Sequence, residues 1–173
     1  MKKEIFITVL VILLTSSLYV PYSKAAFNPF LRPINSINLN LFGDASIFSL
    51  SYERLFSSNR KFFLAWKIGV GYSESHGLPV KNTSLLSTPM HLTGNYGAKK
   101  HYFEFGLGVA ALFYGTLEFW DYTIYPIVGY RLQPLKNDKF TFRVFLSYPV
   151  TGKIDIDKYW FSPVGISVGF CFK

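Results

Sequence analysis

The sequence predicts an all-β fold, an eight-stranded antiparallel up-and-down transmembrane β-barrel, from its composition, its run lengths and its periodicity. Of the 173 residues, 50% are hydrophobic, 19% are aromatic and only 16% are charged, against roughly 25% charged residues in an average soluble domain. A chain this apolar is not disordered. Beyond the N-terminus, apolar residues never run to the ~18 that a membrane-spanning helix needs. They alternate with small or polar residues, as in strands that have two different faces.

Residues 1–25 have the layout of a secretory signal peptide. Lys2-Lys3 gives a basic start, residues 5–14 are almost wholly apolar, and Ser23-Lys24-Ala25 places small residues where a signal peptidase reads them. We therefore expect cleavage after Ala25 and a barrel domain over 26–173. A retained helical anchor is the alternative, although an apolar core of about ten residues is short for a span.

An exported domain with one cysteine needs a source of stability other than disulfides. Cys171 has no second cysteine to pair with in this chain. Its place in the alternation predicts that it faces inward as a small packed residue. A closed, fully hydrogen-bonded sheet would supply the missing stability, because closure removes the unpaired edges of the sheet.

In eight segments, bulky apolar residues alternate with small or polar residues with a period of two, and each segment predicts one strand. Each is about ten residues long, enough for a tilted strand to cross a bilayer, whereas ordinary strands have about five or six residues. The bulky faces of the eight segments begin, in order, with Ile37-Leu39-Leu41, Phe48-Leu50-Tyr52, Leu64-Trp66-Ile68, Met90-Leu92, Phe103-Phe105-Leu107, Ile124-Pro126-Val128, Phe140-Phe142-Val144 and Val164-Ile166-Val168.

The composition of the second face of these segments indicates which face of the sheet points outward. It consists mainly of Ser, Gly, Asn and Ala, whereas a sheet that faces water normally carries many more Lys and Glu residues. Its full charges are Glu53, Lys67, Glu104, Arg131 and Arg143. The bulky face carries tyrosines that we expect near strand ends, at Tyr52, Tyr72, Tyr96, Tyr130 and Tyr148. This pattern predicts a lipid-facing band with aromatic girdles around a polar interior; a soluble barrel or sandwich with an apolar core is the alternative.

The connections agree with this arrangement by parity. If the N-terminus is periplasmic, the joints after strands two, four and six are periplasmic turns and should be short. These joints are 57–61, 97–100 and 133–139, and the expected outer loops are longer, at about 74–88, 112–122 and 150–161. The first outer joint, at Gly43-Asp44, is predicted to be a tight turn.

Five stretches carry a resemblance to a known family. They read SLSYERLF (49–56), IGVGY (68–72), KKHYFEFGLGV (99–109), VGYRLQP (128–134) and VGISVGF (164–170). In these the chain resembles the small eight-stranded outer-membrane β-barrel proteins of Gram-negative bacteria. The resemblance implies a location in the cell outer membrane, contact with its lipid and lipopolysaccharide, and assembly by the barrel-assembly machinery.

The last strand also resembles the signal that this machinery recognises. Gly165 is followed by Val168, Phe170 and Phe172 at alternating positions, although the chain ends in Lys173 rather than an aromatic residue. The resemblance concerns the barrel wall and implies no particular activity.

The inward charges are the candidate functional group. Lys67, Arg131 and Arg143 would neutralise Glu53 and Glu104 and leave one surplus positive charge. Because eight strands leave an interior just wide enough for side chains, and because buried charges persist when paired, we predict a structural, salt-bridged plug. A narrow solute pore that selects anions is the alternative.

Catalysis, cofactors and nucleic acid are not expected. His76, His91 and His101 are dispersed along the chain, and no metal-ligand spacing occurs. We therefore expect no enzyme, although a lipid-modifying enzyme stays open as an alternative. The basic residues fall at separate periplasmic turns rather than in one groove, which disfavours nucleic acid and favours lipid headgroups.

The outer loops carry aromatic residues that suggest either a ligand site or an extended upper girdle. These residues are Phe119, Trp120, Tyr159, Trp160 and Phe161. We favour the girdle, since aromatic side chains collect at the membrane–water interface. The resulting expectation is a monomer with a structural or surface-interaction role.

Overall fold

The computed structural model describes residues 33–58, 61–75, 83–114, 118–135, 138–150 and 161–172. They form a closed barrel of eight antiparallel strands in sequence order, which confirms the predicted all-β, eight-stranded up-and-down barrel. The strands are β1 Asn35–Leu41, β2 Phe48–Ser58, β3 Phe62–Ser75, β4 Thr83–Ala98, β5 His101–Tyr114, β6 Glu118–Leu132, β7 Phe140–Ser147 and β8 Val164–Phe172. The predicted signal peptide, 1–25, lies outside the described residues. No helix among the described residues has the length and apolar character to cross a membrane.

The barrel closes between its first and last strands. β1 and β8 pair from Asn35 opposite Phe172 to Leu41 opposite Ile166. When the registers of the eight strand pairs are followed once around the barrel, they return to β1 about ten residues further along. A stagger of this kind accompanies a strand tilt of roughly 35–45°. At this size the interior is just wide enough for side chains to fill.

The two faces of the wall have the polarity that the alternation predicted. Along β8, inward Gly165, Ser167, Gly169 and Cys171 are buried, while the intervening apolar residues are exposed. The same inversion of polarity continues around the barrel. Exposed large apolar side chains include Ile37, Leu39, Leu41, Leu50, Val70, Leu92, Phe105, Leu107, Val128, Phe142, Leu146, Ile166, Val168 and Phe170.

Several strands extend further than the alternation predicted. β3 continues to Ser75 and β4 begins at Thr83, so the expected loop 74–88 shortens to residues 76–82. Likewise, β5 and β6 leave only 115–117 of the expected loop 112–122. The longer β2 also places Tyr52 at mid-strand, where its hydroxyl donates to Asn35 Oδ1 at 2.7 Å, rather than near a strand end.

The prediction of a tight turn at Gly43-Asp44 is wrong. Six residues, 42–47, join β1 to β2, and Phe42, Gly43 and Ala45 all adopt positive φ angles. At Gly43, a Cβ atom would lie 2.5 Å from the Cα of Gly165, so only glycine fits this close approach. Residues 43–46 are all buried. This connection, here called the inturned loop, therefore folds into the mouth of the barrel instead of standing above it.

The interior charge network as the candidate functional site

Two arginines and two glutamates meet inside the barrel in a closed ring of ion pairs, here called the charged ring. Arg143 binds Glu104 through two hydrogen bonds, Nη2 to Oε1 at 2.7 Å and Nε to Oε2 at 2.8 Å. Arg131 Nη2 donates to Glu53 Oε1. The two remaining contacts close the ring: Arg143 Nη1 lies 3.4 Å from Glu53 Oε2, and Arg131 Nη1 lies 3.7 Å from Glu104 Oε1. Each carboxylate thus contacts both guanidinium groups.

The strand register explains why both glutamates are required. Arg131 on β6 and Arg143 on β7 are direct cross-strand partners, and like charges in that position repel one another. Both side chains are fully buried, so water does not screen the repulsion. Glu53 from β2 and Glu104 from β5 bridge the two arginines. The planar guanidinium suits this role because its several donors fit carboxylates in bidentate geometry.

Lys67 takes part in a separate chain of hydrogen bonds above the charged ring. Glu53 and Lys67 are cross-strand partners, yet Lys67 Nζ donates to Asn40 Oδ1 at 3.2 Å. Asn40 Nδ2 then donates to Ser49 Oγ at 2.8 Å, and Ser49 Oγ donates to Asp44 Oδ2 at 2.7 Å. This relay connects the buried ammonium to a buried carboxylate on the inturned loop.

The net charge of the interior differs from the one that the sequence suggested, because Asp44 is also buried. The expected surplus of one positive charge disappears, because Asp44 is a third buried carboxylate beside Glu53 and Glu104. The buried charged residues of the described part of the chain are then three of each sign, namely Asp44, Glu53, Glu104, Lys67, Arg131 and Arg143. An interior without net charge gives no electrostatic preference for anions.

Two apolar clusters lie above and below the charged ring. The lower cluster, at the end of the barrel where β2 meets β3, contains Leu55, Phe63, Ala65 and Tyr102. The Phe63 ring centroid lies 5.4 Å from Arg131 Cζ. The upper cluster contains Ala45, Leu85, Ala110, Leu112, Tyr125, Ile127 and Phe145.

The upper cluster contacts Arg143 of the charged ring and also Lys67. Phe145 lies with its ring centroid 5.3 Å from Arg143 Cζ and 5.6 Å from Lys67 Nζ. Ala45 of the inturned loop is part of this cluster, and the Ser147 hydroxyl donates to the Gly43 carbonyl, which fixes the loop to β7. The charges are therefore enclosed between two apolar layers, an arrangement that favours a side-chain plug over an open channel.

The histidines and the cysteine do not assemble a reactive group in the described structure. His91 is buried in the interior, with Nε2 at 3.0 Å from the Tyr125 hydroxyl, whereas His101 lies on the outer face with Nδ1 at 2.5 Å from the Tyr130 hydroxyl. His76 lies outside the described residues. Cys171 is buried and faces inward, as its position in the alternation predicted. Among the residues described, no group of three or more His, Cys, Asp or Glu side chains could hold a metal ion.

The residues of the expected assembly signal occupy both faces of β8. Gly165 faces inward, where a Cβ atom would run into the Phe145 ring. Val168, Phe170 and Phe172 are exposed on the outer face. This geometry is compatible with recognition of an outward apolar row, although assembly itself stays a prediction.

One of the five outer-loop aromatics departs from the expected girdle. Phe161 packs against the upper apolar cluster, with its ring centroid 5.9 Å from that of Tyr125. It therefore helps to close the mouth of the barrel from within. The side chains of Phe119 and Trp120, and the residues Tyr159 and Trp160, lie outside the described structure.

Comparisons of the chain with protein-family models, with curated protein sequences and with solved structures found no match. The fold and the site themselves define the class of protein: a closed eight-stranded antiparallel barrel with apolar side chains outside and balanced charges inside. This inverted polarity is the basis for a functional proposal.

Removing the charge of Asp44 tests the relay. We expect Asp44→Asn to lower the free energy of unfolding by about 1–3 kcal/mol, because Lys67 then stays buried without a compensating carboxylate. Urea unfolding of refolded protein in detergent micelles measures this change. Asp138→Asn, which removes an exposed aspartate from a turn, is the matched control and should leave stability nearly unchanged. Equal stability of Asp44→Asn and the parent chain would contradict the relay.

Proposed function

We propose that the protein is an outer-membrane β-barrel protein whose interior is plugged by its own side chains, with a structural or surface-interaction role in the cell envelope. One observation carries the proposal: the barrel wall is inside out relative to a water-soluble barrel. Among the described residues, six charged side chains are buried within it, while apolar side chains such as Leu50 and Leu107, each about 60% exposed, cover the outside. A surface of this kind is stable next to lipid tails and prone to aggregation in water.

Aromatic residues on the outer face support the membrane assignment. Tyr96 and Tyr130 lie towards the ends of β4 and β6 nearest the short turns, and Tyr72, Tyr122 and Tyr148 lie towards the opposite end. Tyrosine rings prefer the membrane–water interface, since one end of the side chain is apolar and the other is polar. Two such rows separated by aliphatic residues are typical of girdles around a membrane barrel.

The interior supports a plug as the state of the lumen. The charged ring is neutral and hydrogen-bonded, and apolar clusters cover it on both sides. An ion that crossed the barrel would have to displace these side chains and leave buried charges unpaired, which is costly. We therefore propose that the protein acts as a structural component of the membrane or through its outer loops, and not by transport.

Cell fractionation tests the location. We expect the mature protein in the outer-membrane fraction, resistant to carbonate extraction. Because a closed hydrogen-bonded barrel withstands detergent at room temperature, unboiled protein should migrate differently from boiled protein on a denaturing gel. Recovery in the soluble periplasmic fraction would contradict the membrane assignment.

Two measurements on the refolded protein distinguish a plugged barrel from the two other functions considered. They are conductance in planar lipid bilayers and turnover of labelled lipid. The refolded protein should insert without stable unitary conductance and should not modify labelled lipopolysaccharide or phospholipid. Regular conductance steps would instead support a narrow solute pore. Turnover of labelled lipid would support a lipid-modifying enzyme.

A further inference from the structure

A surface cleft of about 470 Å³ opens at the end of the barrel that carries the short turns. It lies between the β4–β5 turn and the connection from β6 to β7. Its lining combines two cations, one carboxylate and three apolar side chains: Lys100, Lys139, Asp138, Leu132, Pro134 and Phe140. This combination differs from the mainly apolar outer wall of the barrel and from the balanced interior.

Backbone hydrogen bonds hold the elements of the cleft in place. The Gln133 amide donates to the Lys100 carbonyl at 2.8 Å, which joins the β6–β7 connection to the β4–β5 turn. The Cys171 amide donates to the Lys139 carbonyl at 2.6 Å, which fixes the second lysine against β8. The Asp138 amide donates to the Leu135 carbonyl at 3.0 Å. The cleft is thus preorganised, and a ligand would have little backbone to order.

The charges in the cleft leave one net positive charge. Lys100 Nζ lies 2.6 Å from Asp138 Oδ2 in a half-exposed salt bridge. The hydrogen bond from Lys100 holds the pKa of the Asp138 carboxyl below its usual value, so this carboxylate stays ionised. Lys139 Nζ has an aromatic neighbour, lying 5.7 Å from the centroid of the Phe170 ring. A ligand with a single negative charge would neutralise the cleft.

The apolar side of the cleft continues into the outer wall of the barrel. Phe140, which is 68% exposed, packs edge-on against Phe170, with 5.9 Å between the ring centroids. Leu132 is the last residue of β6 and lies directly opposite Phe142 on β7. An elongated apolar group could therefore run from the cleft along the wall, whereas a free anion would use only the lysines.

We propose that this cleft binds a phospholipid with a net anionic phosphodiester headgroup, of which phosphatidylglycerol is the simplest probe. The phosphate accepts hydrogen bonds from Lys139 and Lys100, the acyl chains lie against Phe140 and Leu132, and Asp138 accepts a hydrogen bond from a headgroup hydroxyl. The proposal rests on the proposed membrane function and makes it more specific, because it assigns one lipid class to one place on the barrel.

Native mass spectrometry of the refolded barrel in a neutral detergent tests this binding. The protein is titrated with phosphatidylglycerol and, separately, with phosphatidylcholine of the same acyl chains. We expect at least about fivefold tighter binding of phosphatidylglycerol, the effect of one basic residue near an anionic lipid surface. Lys139→Gln and Lys100→Gln should each reduce this preference about fivefold. Lys99→Gln, in the same turn but outside the cleft lining, is the matched control and should leave it unchanged.

Each other outcome contradicts a particular part of the proposal. Equal binding of the two lipids would reject the anionic headgroup, and equal losses in Lys99→Gln and Lys139→Gln would reject the cleft in favour of diffuse attraction. Displacement of the lipid by millimolar inorganic phosphate would show that the site takes free phosphate instead. Flotation of the same protein with lipid vesicles separates the two proposals. A barrel that floats without selectivity rejects only the cleft, and a barrel that does not float rejects the membrane function and the lipid site together.

Discussion

Arginine in place of Val168 is expected to destabilise the barrel in lipid vesicles by about 2–4 kcal/mol, the cost of a cation at the middle of a lipid-facing strand. Val168 lies at the centre of β8 on the outer face and is 50% exposed. In water, an arginine at such an exposed position would be nearly neutral for stability. The change in unfolding free energy caused by Val168→Arg therefore distinguishes lipid from water around the outer face of the barrel. Denaturant titration of the variant and the parent in the same vesicles measures it, and Ile68→Arg at the middle of β3 should behave alike.

Val150→Arg is the matched control for this experiment. Val150 lies beyond the end of β7 and is 61% exposed, so the residue replaced and its exposure are comparable while its depth differs. Near the membrane interface the same substitution should cost only about 0–1 kcal/mol. A depth-dependent difference between the two variants would support a bilayer around the barrel. Small and equal effects would show that the outer face meets water, or a protein partner, instead of lipid.

The alternation in sequence was sufficient to predict the strands and their faces, because a strand has a fixed period of two. Glu53, Lys67, Glu104, Arg131 and Arg143 all lie on the buried face, as their positions in the alternation indicate. Strand ends were less predictable. Residues 83–87 pair with β3 and residues 85–88 pair with β5, although 83–88 follow no clean alternation. Hydrogen bonds to these neighbouring strands compensate for the irregular pattern.

The partners within the candidate site could not be predicted, since periodicity fixes the face of a residue but not where a long side chain ends. Cross-strand register alone would pair Glu53 with Lys67, yet Glu53 reaches across the lumen to both arginines. Asp44 gave no signal, because Gly-Asp in a short joint usually marks an exposed turn. Its burial depends on three positive φ angles in the inturned loop, which a sequence pattern does not reveal.

The largest expected loss of stability comes from a substitution in the charged ring. Glu104→Gln removes a carboxylate from a fully buried bidentate pair and leaves Arg143 with a neutral partner. Breaking a buried pair in this way costs about 3–5 kcal/mol. The structure places both hydrogen bonds of Glu104 on Arg143 and leaves Arg131 Nη1 3.7 Å from Glu104 Oε1. The coupling energy of Glu104 should therefore be larger with Arg143 than with Arg131.

Double-mutant cycles measure this order directly. Glu104→Gln is combined with Arg143→Gln in one cycle and with Arg131→Gln in another, each followed by denaturant unfolding of the refolded protein. The salt bridge between Lys100 and Asp138 supplies a control cycle, because its atoms are as close, at 2.6 Å, but both side chains are nearly half exposed. Exposed pairs contribute little, so this control should show coupling near zero. If both Glu104 cycles gave coupling as small as the control, water would be screening the interior charges, and the hydrated pore would replace the plug as the state of the lumen.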